Sequence, residues 1–155
     1  YTDSPLDEIF ALGAGGFFSK PFSASSIKDA IRRASISESE RWKITSLAEP
    51  VIRLNGRFKD FADLAASTTL RLGRGGFFMA EDTPRGRPGD IVGFRFDLDE
   101  GGSLSGTGIA RWINMAANAG RRKGYGVEIS SLHEGNGELS AWIDKNKPVS
   151  YIPKD

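Results

Sequence analysis

Between positions 49 and 134 the hydrophobic pattern has a period of two. Val92, Phe94, Phe96 and Leu98 alternate with Ile91, Gly93, Arg95 and Asp97, which predicts a strand with one apolar face. "VIRLNG" and "STTLRL" read as further extended segments, and "LSGTGIARWINM" and "YGVEISSL" as longer ones. Glu100-Gly101-Gly102 is a hairpin signal. Between the first two extended segments, "FKDFADLAA" reads as a short helical insert with Phe58, Phe61 and Leu64 on one side. A closing helix around Glu138 to Lys145 offers Leu139, Trp142 and Ile143 as a plug for one end. Short strands separated by turn signals predict a small antiparallel barrel or sandwich.

The first 35 residues follow a different rhythm. Ser4, Pro5 and Asp7 suit the start of a helix, Leu6, Ile9 and Phe10 share one face of it, and Gly13 is a natural stop. "GFFSKPF" is a short extended segment closed by proline, and Ser23 then caps a second helix. In that helix Ile27, Ala30, Ile31 and Ala34 fall at i, i+3, i+4 and i+7. One strand between two helices is too little to bury both stripes, so this unit is expected to pack on the barrel or on a second copy. The organisation read from the chain is a helix-strand-helix unit over 1–36, a linker over 37–48, a barrel with its closing helix over 49–149, and a tail over 150–155. With no initiator methionine, the chain is expected to be a piece of a longer one.

Composition narrows the chemistry. The 155 residues carry 21 Lys plus Arg against 20 Asp plus Glu, so the balance of +1 argues against a nucleic-acid footprint. The one local cluster, "AGRRKG", is short and reads as a solvated loop. No apolar run approaches the roughly 20 residues of a membrane span. The absence of cysteine suits a cytoplasmic protein and removes thiol chemistry. With His133 as the single histidine, zinc sites and Ser–His or Cys–His catalysis are not expected, and no cofactor or metal is predicted. "LGAGGFF" lacks the third glycine of a dinucleotide loop, because Phe18 stands there. Asp97 and Asp99 read as a solvated strand end.

Three stretches carry a family likeness: "STTLRLGRGGFFMAEDTPRGRPGDIVGFRF", "GTGIARWI" and "KGYGVEISSL". In this order they resemble a divergent PilZ domain, the bacterial receptor module for cyclic di-GMP. The resemblance implies a six-stranded antiparallel PilZ-type barrel with a C-terminal helix. It also implies two ligand motifs. The (Asp/Asn)-x-Ser-x-x-Gly motif falls on Arg71 to Gly76, where only Gly76 matches; Arg71 replaces the acceptor and Gly73 the serine. The Arg-x-x-x-Arg motif has no pair at that spacing upstream of Val51, where Arg41 and Lys43 stand. Candidate ligand residues are therefore Arg41, Arg71, Arg74 and Gly76. The glycines of "GRGG" are expected to form a bulge or positive-φ step as the strand crosses the barrel, with one of Phe77 and Phe78 inside and the other outside.

The stretch "SPLDEIFALGAGGFFSKPFSASSIKDAIRR" resembles the end of a response-regulator receiver domain: its last two helices with the strand between them. Lys20 matches the family's phosphoryl-sensing lysine and Phe17 its switch aromatic. Together the two resemblances imply a non-enzymatic bacterial signalling adaptor with lost or weak cyclic di-GMP binding. A signalling protein is its expected partner, and residues 1–36 are a candidate homodimer surface. The alternative is a functional receptor that binds the nucleotide through non-standard residues.

Overall fold

A computed structural model describes residues 23–35, 42, 48–73, 75–117 and 122–146. Helix α1 (Ala24–Ser35) begins after Ser23, whose carbonyl accepts from the Ile27 N–H. The mainly β part then runs β1 (Ile52–Phe58), α2 (Phe61–Ala66), β2 (Leu70–Leu72), β3 (Gly76–Ala80), β4 (Ile91–Leu98), β5 (Ser103–Asn114), β6 (Gly124–Glu134) and α3 (Asn136–Asn146). The six strands form one sheet in the order β1-β4-β5-β6-β3-β2, curled into a half-barrel with α3 after it.

The sheet is not wholly antiparallel, as the alternation alone suggested. β1 pairs with β4 in parallel, from Ile52 opposite Val92 to Phe58 opposite Leu98. A parallel neighbour needs a crossover of a dozen or more residues, and the chain supplies it by passing through α2, β2 and β3 before returning. The other four pairings are antiparallel. β1 and β2 are the sheet edges, and α2 packs against both, so the insert bridges the opening of the half-barrel. Its start is built locally: the Asp60 carboxylate accepts from the Asp63 N–H at 2.8 Å, and the Asp63 carboxylate accepts from the Lys59 N–H at 3.0 Å. Phe58, read with this helix, belongs to β1 instead.

Curvature comes from the long pair β5–β6, whose register slips between Ser105 and Gly106, between Thr107 and Gly108, and between Ala110 and Trp112. The unmatched residues are His133 and Ser130 on β6 and Arg111 on β5, the pattern of β-bulges, which bend and twist a strand. Gly108 suits this crowding, because a side chain there would run into the Glu128 carbonyl.

The concave face holds the core. Phe77, Phe96, Leu64, Leu70, Leu104, Leu139, Val92 and Val127 are fully buried. Phe77 meets Phe94 and Phe96 edge-on, with centroids 5.0 and 5.2 Å apart. Leu139 and Ile143 of α3 join this cluster, with Trp142 packed against it. Trp42, from the stretch read as a linker, is also in the core: it is 4% exposed, and its carbonyl accepts from the Leu132 N–H at 3.0 Å.

Candidate functional site

The Gly-rich step is a hairpin. Leu70, Arg71 and Leu72 pair with Met79, Phe78 and Phe77, and the Gly73 N–H donates to the Gly76 carbonyl at 2.9 Å. The chain therefore turns between β2 and β3 where the reading from sequence had one strand crossing the barrel. The positive-φ glycines among the described residues lie elsewhere: Gly86, Gly89, Gly101, Gly102, Gly124 and Gly135. A backbone bond ties the turn down, from the Ile129 N–H of β6 to the Gly75 carbonyl at 2.8 Å.

β3 ends its pairing with β6 at Gly76 opposite Glu128, so the same edge of β6 continues uncovered by β3. Trp42 takes the next stretch of that edge through its bond to Leu132. Trp42, in the segment before β1, and Gly75, in the Gly-rich turn, thus dock three residues apart on one strand. These are the two segments that carry the expected ligand motifs.

Of the candidate residues, Arg71 is exposed on β2 and Gly76 is buried at the start of β3. Arg41, Arg74, Phe17 and Lys20 lie outside the described residues, as does the first helix and strand of the 1–36 unit. His133 is exposed at one of the β6 irregularities. Asp97 and Asp99 face different arginines: Arg95 donates to Asp97 at 2.7 Å and Arg57 to Asp99 at 2.5 Å. They are not gathered as an acid–base pair. Among the described residues no group of three His, Cys, Asp or Glu side chains is placed to hold a metal.

What the outer face of the sheet does bring together is a row across four strands. Arg71 lies opposite Phe78, Phe78 opposite Gly126, and Gly126 opposite Trp112. Directly opposed residues share a face, so the row is continuous on the convex side. The indole of Trp112 lies over Gly126, where any Cβ would meet it, and reaches the Phe78 ring beyond. The two rings stack with centroids 5.3 Å apart and planes 14° from parallel. One step along β6, the Glu128 carboxylate accepts from the Arg111 guanidinium; the two side chains are 20% and 18% exposed. None of Phe78, Trp112, Arg111 or Glu128 stood out as a site residue in the sequence. Plain alternation along "GIARWI" would put Trp112 on the face of the buried Ala110; the bulge at Arg111 turns it outward, opposite Gly126.

The described residues also form two clefts, neither lined by this row. One, of about 560 Å³, is lined by Thr69, Glu81, Asp82, Arg122 and Lys123 among others. The second, of about 430 Å³, lies between β1 and the segment after β3, with Arg53, Arg85, Glu81 and Asp90 around it. Each mixes both signs of charge, which disfavours a multiply charged anion. In the second cleft the Tyr125 hydroxyl clamps the backbone of Arg85, accepting from its N–H at 2.6 Å and donating to its carbonyl at 3.1 Å.

No protein-family model matches the chain, and no curated protein matches it.

Proposed function

We propose that the chain is a PilZ-like, non-enzymatic bacterial signalling adaptor, attached to a receiver-type unit and acting in the cytoplasm through contacts with another signalling protein. One observation carries this reading. At the turn where a PilZ receptor needs an acceptor and a hydroxyl for guanine, the hairpin offers the exposed donor Arg71 and the buried, side-chain-free Gly73. Missing two such partners at about 1–3 kcal/mol each weakens nucleotide binding by orders of magnitude. The surface beside the turn is instead rich in Trp, Phe and Arg, the composition of protein contact sites.

A second reading, a cyclic di-GMP receptor using non-standard residues, is favoured by the docking of Trp42 and Gly75 side by side on β6. Arg41 and Arg74 adjoin those two anchors in the chain. The exposed Ile31 of α1, 61% accessible, supports the further expectation that residues 1–36 form a contact surface, in a homodimer or with a partner. Isothermal titration with cyclic di-GMP at physiological salt separates the two readings. The adaptor gives no saturable heat up to hundreds of micromolar, about 5 kcal/mol of binding energy. Saturation at micromolar ligand overturns it in favour of the receptor.

A further inference from the structure

β1 is an edge strand: it pairs with β4, and no described residue pairs with its other side. The insert α2 follows its far end, at Phe58; its first residues, together with Val51, border the cleft of about 430 Å³. Ile52 and Leu54 are buried and Arg53 is exposed, as alternation on a strand requires, yet all three line that cleft. β4 fills one side of the strand, so a cleft that meets residues of both faces runs along the unpaired side. The opposite wall is the loop after β3, with Thr83, Arg85 and Gly86, and the buried Tyr125. The Tyr125 hydroxyl holds the Arg85 backbone, which fixes this wall in place. The carboxylates of the cleft are committed to the loop itself. Asp90 accepts from the Arg87 N–H at 2.9 Å and lies 3.6 Å from its guanidinium, and Glu81 accepts from the Thr83 N–H at 3.3 Å. Arg53 and Arg85 are exposed, and neither guanidinium bonds to a described residue. The uncommitted charge of the cleft is positive.

From these relations we infer that the first half of β1 takes an added strand: a short, extended, acidic segment of a partner protein, bonded backbone to backbone in this cleft. The unpaired edge selects an extended occupant, because a row of strand N–H and C=O groups is satisfied most fully by another strand. The two free guanidiniums select its charge. A second copy of β1 is a poor occupant, since it would set the exposed Arg53 and Arg57 of one copy against those of the other. Val51 to Leu54 is four residues of chain, about 13 Å of strand, so the added segment is short. On such a segment carboxylates on the outer face meet Arg53 and Arg85, and they alternate with apolar side chains turned toward Ile52 and Leu54. The inference rests on the adaptor reading and names the kind of partner the adaptor takes.

The test uses the whole chain and capped synthetic peptides of about six residues in which valine alternates with glutamate or with lysine. Two further glutamate peptides carry N-methyl groups, one on the valine nitrogens and the other on the glutamate nitrogens. Amide NMR shifts of the protein report binding. The expected result is saturable movement of the Ile52, Arg53 and Leu54 amides, with the glutamate peptide bound about tenfold or more tightly than the lysine one. Only one of the two N-methylated sets should abolish binding, because a strand presents alternate N–H groups to its neighbour. The double variant Arg53→Glu, Arg85→Glu changes two exposed side chains and reverses the charge preference. Absence of binding, shifts that spare β1, an equal response to both methylated sets, or a preference that the double variant leaves in place overturns the added strand. The adaptor reading fails on different data: saturable cyclic di-GMP binding removes it, whichever peptide the β1 edge prefers.

Discussion

Phe78 and Trp112 stack on each other although a whole strand separates them. They sit on β3 and β5, two strand spacings apart, and Gly126 on the intervening β6 leaves the space through which the indole reaches across. The contact welds three strands on the convex face, opposite the Phe77–Phe94–Phe96 cluster inside.

Gly126→Ala puts a methyl group where the indole lies, and the Trp112 side chain must move or the strands must part. The expected cost is about 1–3 kcal/mol by urea unfolding. In a Trp112→Ala background the same change meets no wall, and its cost should fall below half. Equal costs in both backgrounds would show that the alanine clashes with something other than the indole.

Trp42 lies in the stretch that reads from sequence as a linker, yet it is a core residue. Trp42→Ala should destabilise the barrel by about 3–5 kcal/mol, the usual cost of deleting a buried indole. Ser35→Ala, at the exposed end of α1, is the control and should leave the urea midpoint within error. A midpoint equally unmoved by Trp42→Ala would mean that the core closes without it.

Tyr125→Phe removes a hydroxyl that both accepts from and donates to the Arg85 backbone. About 1–2 kcal/mol of local stability should be lost. Hydrogen exchange reads it directly: the Arg85 and neighbouring amides should exchange faster, while those of Phe94 and Phe96 keep their protection.

The Arg57–Asp99 pair joins the end of β1 to the turn after β4, and the hydrogen bond from Arg57 to the Asp99 carboxylate raises the arginine pKa above its ordinary value. A raised folded pKa contributes stability below that pKa and loses it only as the pH climbs through it, which for arginine lies far in alkali. The difference in urea midpoint between the wild type and Arg57→Gln should therefore be the same at pH 6 and pH 9. A difference that shrinks over this range would place the titrating group elsewhere.

The alternation of Val92, Phe94, Phe96 and Leu98 was legible because one-sided burial imposes period two on any strand of this kind. The turn at Glu100–Gly102 was legible for a local reason: Gly101 and Gly102 both have positive φ, and the Leu98 N–H closes the hairpin onto the Gly102 carbonyl. Leu139 and Ile143 likewise announced the closing helix. The parallel pairing of β1 with β4 could not be read, since the partner of an edge strand is decided by contacts some forty residues away. "LRLGRGGFF" misled for the opposite reason: glycines serve a bulge and a tight turn equally well, and only the pairing of Arg71 with Phe78 decides between them. Trp42 was missed because a lone aromatic among polar neighbours has no period. The convex-face row needs the register of four strands at once, which no single segment contains.

Between Ser35, the last residue of α1, and the anchored Trp42 there are six residues. Whatever their conformation, that length of chain spans no more than about 25 Å. The anchor thus makes the upstream unit a permanent near neighbour of the β6 edge. Anything α1 carries is presented to the half-barrel at a millimolar effective concentration, as short tethers give. A weak contact between the two, too feeble to detect between separate molecules, would be well populated within this one chain.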